Sequence, residues 1–264
     1  MRLDRFLVES SIGTRQKVRD YVKAGLIKVN GKITIEPSID VSEETDVIKY
    51  KDVVVELGKK RYYMFHKPGG CVTARTDSNC KTVMDYFSKE NMEGIFHVGR
   101  LDKDTEGLLL FTNDGEFNKR LMSPEEDVKK TYFFWALGSL NDKEKELLEK
   151  GIYISKDEAI TKPAKIEVVH EGIWKEFKSQ LQVVKFYKAK GNNEKQSVVA
   201  GYLTISEGRK HQVKRMLKAV GCYVIYLKRV SIGELKLDED LMQGEYRELK
   251  EDEIKLLMKD HYNE

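Results

Sequence analysis

The sequence predicts an α+β protein in two parts: a small helix-and-hairpin unit over residues 1–58 and a larger domain over 59–264 built on a mixed, largely antiparallel sheet. Three observations predict it. A helical repeat of apolar residues runs straight into an Asn-Gly hairpin signal near the start. An acidic, turn-rich stretch, "PSIDVSEETDV", then leads to Gly58, where the composition changes. Beyond it, many short β-prone runs are interrupted by a few helical ones. At 264 residues the chain has room for a small domain joined to a larger one.

In the first part, Thr14 is placed to cap a helix "TRQKVRDYVKAG". Val18, Tyr21 and Val22 recur at helical spacing, and Gly25 is placed to end the helix. Arg15, Arg19 and Lys23 fall four apart and make one basic stripe away from the apolar face. "LIKVNGKITI" follows as two β-prone runs about Asn30-Gly31. In the second part, "RYYMFHK", "IFHVGRL", "LLLFT", "TYFFWAL", "AKIEVVH", "KSQLQVVKFYK" and "VVAGYLTIS" read as strands. "NDKEKELLEKG" and "KHQVKRMLKAVG" read as helices, and "DEIKLLMKD" as a short helix-like segment near the end.

A net charge of +3 conceals segregation along the chain. Residues 1–35 hold eight Lys/Arg against three Asp/Glu, and residues 205–230 hold seven against one. From Glu234 to Glu264 the balance reverses, with five basic residues against eleven acidic. Two separated basic patches suit a polyanion gripped at two points. Hydrophobic residues at 40% and charged at 34% fit a folded, soluble chain. No run approaches the roughly 18 uninterrupted apolar residues of a membrane span. The start, "MRLDRFLVES", lacks a signal peptide's apolar middle, so a cytoplasmic monomer with no membrane association is expected. Cys71, Cys80 and Cys222 form no CxxC pair and the five histidines are scattered, which points away from a metal site. There is neither a dinucleotide glycine fingerprint nor a Walker A lysine, so no cofactor is expected.

Four further segments carry the functional reading. They are "HKPGG" (His66 to Gly70), "GRLDKDTEGLLLFTNDG" from Gly99, "KKTY" (Lys129 to Tyr132) and "EGRKHQVKRMLKAVG" (Glu207 to Gly221). With "RLDRFL" at Arg2 to Leu7 and "VNG" at Val29 to Gly31, residues 1 to 58 resemble an S4 RNA-binding domain. Taken in order and separation, the four segments resemble the RsuA-type family of rRNA pseudouridine synthases over nearly the whole chain. That resemblance implies that Asp102 is the catalytic aspartate, Tyr132 the active-site tyrosine, and Arg209 the arginine that pairs with the aspartate.

The implied chemistry suits those residue types. Converting uridine to pseudouridine breaks the bond from ribose C1′ to uracil N1, turns the base and rejoins it through C5, with nothing oxidised or lost. It needs a carboxylate as nucleophile or charge stabiliser, which is the role given to Asp102. A guanidinium such as Arg209 would hold that carboxylate ionised and aimed. Tyr132 offers a ring for the extracted base to stack on and a hydroxyl for proton transfer.

For binding RNA, the first patch nominates Arg2, Arg5, Arg15, Arg19 and Lys23. The second region nominates Arg100, Lys210, Lys214 and Arg215, with Lys214, Arg215 and Lys218 read as a phosphate-facing helical stripe. His66 stands where the family usually has Asn, which leaves the catalytic set untouched but gives no support to a contact by that side chain. The expected partner is ribosomal RNA or a small-subunit assembly intermediate. "HKPGGCVTARTD" and "TKPAKIEV" are closest to small-subunit members of the family, and the acidic tail cannot supply the extra phosphate grip of a basic extension. The alternatives are the same chemistry on large-subunit rRNA, or a non-catalytic S4-type binder in ribosome assembly. A pure binder would not need Asp102, Tyr132 and Arg209 together.

Overall fold

The computed structural model describes residues 1–10, 12–88, 94–177 and 194–258. They divide into two compact units, one of residues 1–62 with 87–96 and 112–116, the other of the remainder.

The first unit packs α1 (Leu3–Glu9) and α2 (Arg15–Lys23) on a four-stranded sheet of order β2-β1-β3-β4. Thr14 Oγ1 caps α2 by accepting from the Lys17 N–H at 3.4 Å. Asn30 and Gly31 both have positive φ, 50° and 81°, as a tight hairpin between β1 (Ile27–Val29) and β2 (Lys32–Thr34) requires. Leu3, Phe6, Leu7, Val18, Val22 and Ile48 form its buried core. The acidic, turn-rich stretch "PSIDVSEETDV" is internal to this unit. The Leu3 N–H donates to the Ile39 carbonyl and the Met1 amino group to that of Val41. The chain then returns as β3 (Ile48–Tyr50), paired with β1, and β4 (Val53–Val54). Turn-rich composition marks the return of a strand as readily as a domain boundary.

The second unit is built on a sheet of order β13-β5-β7-β11-β8-β10-β9, with β6 beside β7 and β12 beside β11. Its strands are β5 (Tyr62–Lys67), β6 (Phe96–Val98), β7 (Glu106–Thr112), β8 (Lys130–Leu137), β9 (Lys165–Ile173), β10 (Ser197–Ile205), β11 (Tyr223–Ile232), β12 (Leu235–Lys236) and β13 (Tyr246–Glu248). β11 runs antiparallel to β8 but parallel to β7, so the sheet is mixed at its centre. The strand read over "KSQLQVVKFYK" lies outside the described residues. The helices are α3 (Gly115–Met122), α4 (Asp142–Lys150), α5 (Gln212–Ala219) and α6 (Glu251–Met258). A capping box starts α4: Asn141 Oδ1 accepts from the Glu144 N–H, and Glu144 Oε2 accepts from the Asn141 N–H.

Alternation along β8 sends Phe134 and Ala136 to one face, where they pack with Leu148 of α4 and Val213, Met216 and Leu217 of α5. Trp135 joins a second cluster with Val198 and Ala200.

The central strand β11 was not legible as a strand. "YVIYLKRVSI" carries Lys228 and Arg229, and the sequence reading took this stretch as part of a basic patch. A glycine lets the chain form it. At Gly107 φ is +103°, and a Cβ there would lie 2.2 Å from the Arg229 carbonyl oxygen. Gly107→Ala is therefore expected to destabilise the protein by roughly 3 kcal/mol or more, because neither backbone can yield without breaking the ladder. Denaturant unfolding of the variant measures it, and a loss below about 1 kcal/mol would show that β7 and β11 separate freely.

Candidate active site

The loop from Gly99 to Thr105 joins β6 to β7 and is braced from below. Lys67 ends β5 with its side chain fully buried, and its Nζ donates to the carbonyls of Pro68, Lys103 and Thr105 at 3.1, 3.3 and 2.8 Å. Three carbonyls solvate the ammonium where a carboxylate would otherwise be needed. Burial still pushes its pKa down, against the pull of Cys71 and the nearby carboxylates. Thr73 Oγ1 donates to the Leu101 carbonyl at 2.8 Å, and the Gly70 N–H to that of Lys103 at 2.7 Å. "HKPGG" is thus the brace of this loop. The one sequence signal for it was a lysine closing an otherwise apolar strand.

The loop presents Asp102 to the start of α5. Asp102 Oδ2 lies 3.1 Å from Lys214 Nζ, and Oδ1 lies 3.5 Å from His211 Nε2. Lys214 also bridges to Asp104. Burial raises the Asp104 carboxyl, but the Lys214 contact and the local backbone outweigh it and hold the group below the usual carboxylate range. His211 reaches Asp102 from a left-handed backbone, φ 54°, at the cap of α5. That conformation is uncommon for a residue with a Cβ and is held here by the turn before the helix.

Arg209 does not pair with Asp102, as the resemblance implied. Its Nε donates to Glu207 Oε2 at 3.1 Å, its Nη2 to the Ile160 carbonyl at 2.8 Å and its Nη1 to the Ala159 carbonyl. Gln212 completes the lock, accepting from the Arg209 N–H at 2.9 Å and donating to Glu207 Oε1 at 2.8 Å. Arg209 therefore shapes the turn that delivers His211 and Lys214, five residues along, which takes the role read for the arginine.

Asp102, Tyr132, Arg100, Arg209, Lys210 and Lys214 all line one cleft of about 1000 Å³. Tyr132 lies on its sheet wall, half-buried, with Leu227 and Ile205. Lys130, two residues before Tyr132, and Arg229, opposite Tyr132 in the β8–β11 register, line it too. Neither was singled out from the sequence, although "KKTY" contains the first. Lys130 is 5% exposed and Arg229 2%. Arg229 Nε donates to the Leu108 carbonyl at 2.8 Å, while its buried Nη2 has no partner among the described residues. An unmatched buried donor costs about 1–3 kcal/mol. Burial, with Arg229 alongside, pushes the Lys130 pKa down to about 8.

The other nominated RNA contacts separate into engaged and exposed cations. Arg2 and Arg19 converge on Asp4 at 3.0 and 3.2 Å, holding that buried carboxyl low against the opposing effect of its burial. Arg5 pairs with Glu9 at 2.7 Å. Arg215 is tied to Glu158 at 2.7 Å and to the Ile154 carbonyl, and Lys214 meets Asp102, so of the helical stripe read as phosphate-facing Lys218 is the exposed member. Arg15, Lys23, Arg100 and Lys210 are exposed. His66 is buried, with Nδ1 2.6 Å from the Leu241 carbonyl oxygen, and is not part of the cleft wall. Among the described residues no group of three or more His, Cys, Asp or Glu side chains is placed to hold a metal ion, and no helix is long and apolar enough to cross a membrane.

Comparison with known proteins shows that the chain belongs to the RNA pseudouridylate synthase family, whose model matches residues 61–219, with an S4 domain matching residues 1–48. Its relatives narrow the family to the RsuA type. The ribosomal small subunit pseudouridine synthase A of Escherichia coli (strain K12) is 35% identical, over 96% of this chain and 98% of that protein. That of Haemophilus influenzae is 33% identical over 98% and 100%. An uncharacterized RNA pseudouridine synthase of Bacillus subtilis (strain 168), YtzG, is 40% identical over 97% and 98%. A crystal structure of a pseudouridylate synthase matches with a TM-score of 0.64 at 33% identity, covering 97% of this chain and 99% of that one.

The buried cation on β8 generates a pH prediction. The folded pKa of Lys130 is lowered from 10.5 to about 8. Below about 8 the folded chain carries the full cost of the buried charge. Between about 8 and 10.5 the folded form sheds the proton while the unfolded form keeps it, so this group's contribution to stability improves as pH rises through that window. Lys130→Met is expected to be the more stable protein near neutral pH, by up to about 3 kcal/mol, with the gap narrowing toward about pH 10. Urea unfolding of both proteins across that range checks it; a gap independent of pH would contradict it.

Proposed function

We propose that this chain isomerises a specific uridine of small-subunit ribosomal RNA to pseudouridine, with Asp102 as the reacting carboxylate. The observation that carries the reading is Asp102 itself, held 3.1 Å from Lys214 Nζ in a cleft that also presents Tyr132. A uridine must leave its stack to enter such a cleft, and an aromatic wall is the surface on which the extruded base rests. Lys214 holds the Asp102 carboxylate aimed at the sugar, where it acts as nucleophile when the N1–C1′ bond breaks. The base then turns and C5 attacks C1′, breaking the bond from C1′ to the Asp102 carboxylate and releasing it unchanged, while C5 gives up one proton and N1 takes one. No electrons are gained or lost, so the proposal assigns the enzyme no redox cofactor.

Residues 1–58 act in this reading as the RNA anchor and residues 59–264 as the catalytic domain, with the chain working as a cytoplasmic monomer. Arg15 and Lys23, exposed on α2, are the anchor's available cations, whereas Arg2, Arg5 and Arg19 are engaged within their own unit. The small-subunit target is supported by relatives named for that subunit, which match across nearly the entire chain. To test it, purified protein is offered naked 16S rRNA, a small-subunit assembly intermediate and 23S rRNA, and pseudouridine is mapped in each after carbodiimide treatment. Modification of one uridine confined to 16S rRNA is expected, in the naked RNA or the intermediate. Modification confined to 23S rRNA would refute the target and leave the enzyme class standing.

A further inference from the structure

We propose that Lys130 and Arg229 form a buried cationic pair that receives the carbonyl oxygens of the extruded uracil and stabilises the negative charge the base takes when it separates from the sugar. This rests on the reading of the chain as a uridine isomerase and adds to it the groups that hold the detached base.

The placement follows from the sheet. Lys130 and Tyr132 are two residues apart on β8 and so share a face, and the antiparallel register sets Arg229 of β11 opposite Tyr132. All three line the cleft that contains Asp102. Lysine and arginine are almost never this buried unless paired. Yet among the described residues neither is joined to a carboxylate by an ion pair, and the buried Arg229 Nη2 has no hydrogen-bond partner. The acidic group whose field reaches Lys130 is Asp127, which is itself held by Lys162 at 2.6 Å. Two neighbouring cations without a counter-charge mark the place of an anion that arrives with the substrate. The lowered pKa of Lys130 is what such an unfilled site produces.

Depth decides which part of the RNA supplies that charge. Backbone phosphates stay at the rim, where Arg100 and Lys210 are exposed. Side chains this buried, beside the ring on which the base stacks, are within reach only of the base. When N1–C1′ breaks, the bonding pair goes to the base and spreads over N1, O2 and O4. After rotation C5 uses a pair to bond C1′ and displaces the Asp102 carboxylate, which leaves with its own bonding pair; the C5 hydrogen leaves to water as a proton and N1 is protonated, so the isomerisation balances. Donors fixed around the developing charge lower the barrier without reorganising. Cytosine carries an amino group in place of O4 and would direct its N–H bonds at the cations, so the pair also favours uracil.

The test is single-turnover release of tritium from C5-tritiated uridine in 16S rRNA, with RNA affinity measured against salt. Lys130→Met and Arg229→Met are each expected to slow release at saturating enzyme by about 100-fold, the scale of losing one donor to a developing oxyanion. Affinity should stay within about threefold with an unchanged salt slope, and Lys130→Arg should recover most of the rate. Lys130→Met is the decisive variant because removing that buried charge does not threaten folding. Wild-type release rates in both Met variants would overturn the inference. So would weakened affinity, a salt slope lower by about 0.7–0.9 and an intact saturating rate, which is the signature of a backbone phosphate. A wild-type chain that releases no tritium would overturn the isomerase reading and this inference together. Release by the wild type with unchanged variants would overturn the inference alone.

Discussion

The catalytic unit is arranged around one ion pair, the Asp102 carboxylate against the Lys214 ammonium at 3.1 Å. A carboxylate in a cleft loses part of its solvation, and a cation beside it replaces what water supplied and fixes its direction. The cation and the carboxylate come from separate parts of the chain, so each must be delivered. Lys67 fixes the Asp102 loop through its carbonyls. The lock of Arg209, Glu207 and Gln212 fixes the turn from which α5 starts. Gly107 lets β11 lie against β7, and so sets Arg229 and Leu227 into the cleft wall. The Lys67 support is a fully buried polar group satisfied by backbone carbonyls, which holds geometry more tightly than a surface ion pair does.

Local chemistry made much of this legible. The Asn30-Gly31 hairpin and the cap at Thr14 stand where turn and capping residues placed them, because those signals act within a few residues. The charged string around Asp102 announced a loop feeding a core strand, and β7 begins at Glu106, directly after it. What stayed hidden depends on contacts distant in sequence. Arg209 and Lys214 look equivalent along the chain. Which of them meets Asp102 is set by the left-handed residue at His211, which redirects the chain between them. β11 was missed because two cations interrupt its apolar run, and the burial of Arg229 becomes reasonable only once the cleft is built. Lys67 and Lys130 were passed over for the same reason: a lysine in a strand reads as surface until its neighbours are known.

The active face is therefore not the most stable packing this sheet could have. It retains Lys130 and Arg229 without counter-charges, an unmatched Thr105 hydroxyl, and a residue with a Cβ in a left-handed conformation. Such features persist where function needs them and the surrounding fold can bear the cost. Here the cost falls on a sheet whose opposite face is closed by Trp135, Phe133 and Tyr202, stacked edge to face or tilted against one another. The α4 and α5 side is filled by aliphatic residues of both helices and the strands beneath them.

The central claim is that Asp102 reacts rather than merely binds. Asp102→Asn keeps the size and shape of the side chain and removes its charge, so single-turnover isomerisation of an RNA that the wild-type chain demonstrably modifies separates the two roles. Loss of detectable pseudouridine with RNA affinity within about threefold of wild type is the predicted result, a nucleophile's charge being needed for the chemistry and not for the grip. Appreciable turnover by Asp102→Asn on that same RNA would contradict it.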